Sequence, residues 1–137
     1  MITVALYDTN IIISGLFWRG IPRQLMLLAQ SGKIEIVTCQ ALLDELKALL
    51  MRSKKSFAVT TQEADRVIDE MLKFIKLVTP THVINICRDP DDNLVLACAA
   101  EGHAIYIVTD DLDLLTLGEF EGIKIVTARQ FFEVVHD

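Results

Sequence analysis

Ile2-Thr3-Val4-Ala5-Leu6-Tyr7 runs directly into Asp8-Thr9-Asn10, and this stretch decides how the chain is read. A short, β-branched apolar run closed by a turn-forming cluster is a buried strand. The same pattern returns at Ile34 to Thr38, His82 to Ile86, Ala104 to Val108 and Ile123 to Val126. Helical patterns fall between these runs. Pro22 opens one that stops near Gly32, Ala41 to Met51 carries a leucine stripe, and Thr61 to Val78 is amphipathic behind a Thr60–Glu63 capping box. On that last helix Asp69 and Lys73 are spaced to pair. Leu94 to Glu101, apolar nearly all round, predicts a helix buried between neighbours and ended by Gly102, with Asp92 as its N-cap. Thr127 to Gln130 caps a final helix through Glu133. Strands that are continuously apolar and alternate with helices predict an α/β fold with a mostly parallel sheet covered on both faces. No linker or repeat interrupts the pattern, so residues 1–137 read as a single domain.

The 137 residues carry 13 Lys+Arg and 19 Asp+Glu, a net charge of −6, and 52% are hydrophobic. This composition excludes a disordered tail and a disulfide-dependent scaffold, and a protein that coats nucleic acid through bulk positive charge. Cys39, Cys87 and Cys98 are odd in number and form no C-x-x-C pair, and His82, His103 and His136 are scattered, so no zinc spacing is present. A reduced cytoplasmic setting follows, with Cys98 as a small core residue. The N-terminus lacks signal-peptide features and no apolar run is long enough to span a bilayer, which predicts a protein without a membrane.

The carboxylates are not spread evenly. Asp8 follows the first strand, Asp110, Asp111 and Asp113 follow Ile105 to Thr109, and Asp89, Asp91 and Asp92 precede the buried helix. Ligands of parallel sheets bind at the carboxyl ends of the strands. Each acid has a structural explanation of its own, as an N-cap or a turn former. Three clusters at one edge repel one another unless a cation holds them, and hard oxygen donors suit Mg²⁺ or Mn²⁺. Glu45 adds a fourth acid, about 100° from the centre of its helix's leucine stripe, while Asp44 faces solvent. Asn10 and Thr109 are placed to orient a carboxylate or a water. Arg52, Lys54 and Lys55 form the densest basic run, and Arg19 and Arg23 lie near Trp18; these are the candidates for holding nucleic-acid phosphates.

Asp8-Thr9-Asn10-Ile11, Leu42-Leu43-Asp44-Glu45-Leu46, Asp89-Pro90-Asp91-Asp92-Asn93 and Val108-Thr109-Asp110-Asp111-Leu112-Asp113-Leu114-Leu115 together resemble the PIN-domain family. The likeness covers essentially the whole chain, and is closest to small prokaryotic toxin components of toxin–antitoxin pairs, akin to VapC toxins. It implies a three-layer α/β/α sandwich and Mg²⁺- or Mn²⁺-dependent ribonuclease chemistry, with an antitoxin as partner and dimers common. By the same likeness Asp8, Glu45, Asp92 and Asp111 match the family's catalytic, metal-holding acids, and Asp113 an additional one. The chain departs from the family pattern where Asp110 replaces a glycine and Leu112 a lysine, so either Asp110 or Asp111 is the inward ligand. Alternative readings are a catalytically silent PIN scaffold and a receiver-like Mg²⁺-binding signalling module. A haloacid-dehalogenase-like phosphatase is disfavoured, because Asn10 stands where a second Asp is needed.

Overall fold

The computed structural model describes residues 2–52 and 59–135. Lys54 and Lys55 lie outside the described residues. The elements are β1 (Thr3–Tyr7), α1 (Thr9–Phe17), α2 (Ile21–Gln30), β2 (Ile34–Thr38), α3 (Gln40–Arg52), α4 (Thr61–Met71), β3 (Ile75–Leu77), α5 (Pro90–Glu101), β4 (Tyr106–Val108), α6 (Leu112–Leu117), β5 (Glu119–Phe120), β6 (Ile123–Val126) and α7 (Ala128–Val135). The sheet order is β3-β2-β1-β4-β6-β5, parallel throughout except for the β5–β6 pair.

Strand alternation divides the core into two layers. From β1, Ala5 and Tyr7 enter one apolar cluster with residues of α1, α2, α4 and α7, among them Ile11, Leu25, Met71 and Phe131. Leu6 enters the other, with Val37, Ile107 and the α5 residues Val95, Leu96, Cys98 and Ala99. The result is the expected three-layer α/β/α arrangement, as successive side chains of a strand point to opposite faces. Helix α5 approaches β2 closely: a Cβ placed on Gly102 would lie 2.8 Å from the Cβ of Val37.

Several elements differ from the sequence reading. The predicted helix to Val78 stops at Met71, and Ile75–Leu77 forms β3, with Ile75 in register with Ile36. Ile75 suits either periodicity, and strand pairing with β2 decides it. Lys73 therefore lies beyond the helix and pairs with Glu70 at 2.9 Å rather than with Asp69. No strand forms at His82 to Ile86. There Val83 is 96% exposed, and the N–H groups of Ile86 and Cys87 donate to Asn93 Oδ1 instead of to a neighbouring strand. Helix α1 follows Asp8 immediately, although Ile11-Ile12-Ile13 is a β-branched run, because burial of Ile11 and Ile12 overrides intrinsic propensity. The Thr60–Glu63 capping box and the Thr127–Gln130 cap form as read.

The start of α5 needs the correction that matters most. Asp89, not Asp92, is its N-cap, accepting from Asp91 N at 2.9 Å, and Pro90 opens the helix. Proline suits a first-turn position, where its missing N–H costs nothing. Asp92 thus sits inside the first turn, relieved of capping.

Candidate active site

Strand order reverses between β1, whose chain continues outward through β2 and β3, and β4 on its other side. Such a switch point opens a crevice at the strands' carboxyl ends. A cleft of about 310 Å³ lies there, lined by Asp8, Glu45, Asp89, Asp91, Asp92 and Asp111, with Asn10 and Arg52 among the remaining lining residues.

The two strand-end acids are tied by one hydroxyl. Thr109 is fully buried; its Oγ1 donates to Asp8 Oδ2 at 2.7 Å and accepts from Asp111 N at 3.0 Å. Asp8 Oδ1 accepts from Thr9 N at 2.8 Å. Asp111 caps α6, its Oδ1 accepting from Asp113 N at 2.8 Å and from Leu114 N at 3.4 Å.

The helix-borne acids are held differently. Asp92 is 5% exposed, and its Oδ2 is the one buried side-chain oxygen or nitrogen without a hydrogen-bond partner among the described residues. Burial, then a hydrogen bond with Asp111 and the charges of Asp111, Asp89 and Asp8, push its carboxyl up to about 7. Burial also raises the Asp8 carboxyl, against the opposing bonds from Thr109 and Thr9, and the charges of Asp111 and Asp110 add to the rise. Glu45, half-buried on α3, is raised by burial and by Asp91, Asp8 and Asp89, while a Thr9 side-chain hydrogen bond opposes this. Four carboxylates pressed together in this way are a cation-shaped demand for charge.

The residues fit a hard divalent ion. Asp92, Asp111 and Asp113 each offer an oxygen within 4.8 Å of the others, and the orphaned Asp92 Oδ2 is a lone pair with nothing to bind. Oxygen donors alone, without sulfur or imidazole, suit Mg²⁺ or Mn²⁺. Asp113 is also engaged by Arg88, whose guanidinium donates to both its oxygens at 3.1 and 3.2 Å.

Not every candidate reaches the cleft. Asp110 is exposed and does not line it. The non-glycine residues with positive φ among the described residues are His103 and Glu121, so Asp110 takes the place of the family glycine without left-handed strain. Arg19 and Arg23 line a separate depression beside Trp18 and Leu27. Asp44 points away and accepts from Gln40 Nε2 at 2.9 Å. One contributor was given no role from sequence, Thr9, which holds both Asp8 and Glu45, while Asp91, read only as a member of its acidic cluster, lines the cleft. The adjacency of Thr9 to Asp8 was the available signal.

Comparison with known proteins agrees with this architecture. The chain is 28% identical over 136 residues to the uncharacterized protein MJ1680 of Methanocaldococcus jannaschii, covering 92% of this chain and 87% of that protein. Its fold is similar to a chain in the crystal structure of VapBC2 from Rickettsia felis bound to a promoter DNA fragment, with a TM-score of 0.59, 16% identity and 90% and 97% of the two chains covered. It is also similar to PAE2754 from Pyrobaculum aerophilum, with a TM-score of 0.62, 13% identity and coverage of 99% and 91%. The PIN domain family model matches residues 4–113, and the chain belongs to that family.

Proposed function

We propose that the protein is an Mg²⁺- or Mn²⁺-dependent endoribonuclease, the toxin of a toxin–antitoxin pair, acting at the Asp8, Glu45, Asp92 and Asp111 cleft. The observation that carries this reading is the unpartnered, buried Asp92 Oδ2 amid crowded carboxylates, a repulsion that a bound cation relieves. In this reading Asp8, Asp92 and Asp111 hold one or two ions, with Glu45 beside them. When bound, the cation supplies Lewis-acid chemistry, acidifying water and offsetting charge on phosphoryl oxygens. The chain's own residues do the rest. Thr109 fixes the spacing of Asp8 and Asp111, and Thr9 fixes Asp8 and Glu45. Glu45, reachable from solvent and with its carboxyl raised, is the base placed to take a proton from an attacking water. Arg52, at the cleft wall, offers a guanidinium to an RNA phosphate, which the surrounding acids cannot.

An antitoxin protein and a homodimer are the partners this reading expects; the resemblance to a VapBC2 chain supports the first. Among the described residues no helix is long and apolar enough to cross a membrane, and the reading places the protein in the cytoplasm. The test is incubation with mixed RNA substrates in Mn²⁺, Mg²⁺ or chelator, comparing wild type with Asp8→Asn. Cleavage requires metal and is lost in the folded variant. Cleavage that survives chelation or the substitution overturns the assignment, and a folded wild type inert in both metals returns the silent-scaffold reading.

A further inference from the structure

Away from the carboxylates, the second apolar layer holds two cysteines that the cleft does not use. Cys39 is 2% exposed and Cys98 is fully buried, and both pack with Leu6, Val37 and Leu96. Cys39 stands just ahead of α3, its carbonyl accepting from Leu43 N at 3.1 Å. Its sulfur accepts a hydrogen bond from the Cys98 thiol and further bonds from the N–H groups of Leu42 and Ala41. One contact brings the two backbones close. Cys98 lies one helical turn before Gly102, Cys39 lies two residues beyond Val37, and Gly102 rests against Val37 with no room for a Cβ. Helix α5 is thereby pressed onto the end of β2, which sets the two buried cysteines in the same apolar layer.

We propose that Cys39 and Cys98 form an oxidisable dithiol, a modification site at which a hydroperoxide is reduced and a disulfide staples the β2–α3 junction to α5. The division of labour follows from the environment. The bond from Cys98, with the two N–H groups at the helix start, pulls the Cys39 thiol down to about 6 against its burial. Cys98, donating to Cys39 and buried, is pushed the other way. Cys39 is the attacking thiolate. It displaces hydroxide or alkoxide from the peroxide oxygen and becomes a sulfenic acid; Cys98 then attacks that sulfur and water leaves. Two thiols and one hydroperoxide give one disulfide, one alcohol (or water) and one water.

The staple would join the two helices bearing the helix-side acids, since Glu45 is six residues after Cys39 (45 − 39) and Asp92 six before Cys98 (98 − 92). Cys87, half-buried and raised by burial and by nearby Asp92, Asp111, Asp113 and Asp89, is the internal control.

The experiment treats the reduced full chain with hydrogen peroxide and counts thiols after denaturation. The count should fall from three to one, the intact mass should drop by two hydrogens, and non-reducing peptide mapping should link Cys39 to Cys98. Thermal unfolding should shift upward and return with dithiothreitol. In Cys98→Ala, oxidation should stop at a Cys39 sulfenic acid trapped by dimedone. Three surviving thiols, or loss confined to Cys87, overturns the proposal. The wild-type map decides alone if the variant does not fold, and no readout depends on nuclease activity.

Discussion

The two walls of the cleft hold their acids by opposite means. On the strand wall, Asp8 has both oxygens engaged by Thr9 and Thr109, and Asp111 has one engaged by the start of α6. On the helix wall, Asp92 and Glu45 are carried in by the packing of α5 and α3, and Asp92 keeps a buried oxygen with no donor. Hydrogen bonds make the first wall stable without a ligand, while the second is stable only when something neutralises it. The difference teaches which oxygen is left unpartnered: Asp92 Oδ2, from the wall built by helix packing.

Asp92→Asn tests that contrast most severely. It should abolish the rise in thermal midpoint expected of wild type in Mn²⁺, a linkage worth about 2.7 kcal/mol at a hundredfold excess over Kd. At the same time the cation-free variant should melt above wild type at pH 8, because a repelled buried charge is gone. A cation-free variant that melts lower would put both walls on the same footing.

The pH dependence sharpens the same point. Asp92 titrates near 7 folded and near 3.9 unfolded, so between those values the folded chain binds more protons. Without cation, wild-type stability therefore falls relative to Asp92→Asn as pH rises from about 4 to about 7. Asp8 and Glu45, also raised, act in the same direction and are shared by both proteins. Parallel melting profiles for the two proteins would remove the coupling. A divalent ion should flatten the wild-type slope, since it replaces the proton.

On the strand wall the expected effects are smaller. Thr109→Val keeps the buried β-branched shape but leaves Asp8 Oδ2 without its donor, and should cost about 1.5–3 kcal/mol in denaturant unfolding. An unchanged midpoint would mean the hydroxyl does not hold Asp8. Smallest of all is Asp110→Asn, exposed and outside the cleft, which should change stability by less than about 0.5 kcal/mol. Asp111→Asn should lose cation binding where Asp110→Asn keeps it, and the reverse would exchange their assignments.

The strand wall was legible in the sequence because Asp8 and Asp111 end apolar runs, and strand ends are where a parallel sheet exposes its polar groups. The sheet's second edge was not, because Ile75 satisfies the helical stripe of α4 as well as the register with Ile36, and only the partner strand tells them apart. Helix α1 was hidden by three consecutive isoleucines whose local preference is extended. Asp92 was read as the N-cap of the buried helix and lies instead inside its first turn, lining the cleft. Read as a cap it had a sufficient structural purpose; Pro90, which can open a helix, was the sign that the cap lay at Asp89. Thr9 went unmarked because its hydroxyl matters only through residues distant in the chain. The basic run from Arg52 divides, with Arg52 at the cleft and Lys54 and Lys55 outside the described residues.

The sheet's two margins carry a consequence for life at high concentration. One border strand, β3, is three residues long and presents an exposed Lys76; the other, β5, is two residues long and turns antiparallel. A stray chain seeking a template finds too few free amides on either side for a lasting ladder, and at β3 a buried lysine charge would oppose stacking. The inner parallel strands that build the cleft are thus shielded from recruitment into fibres by the brevity of the two border strands.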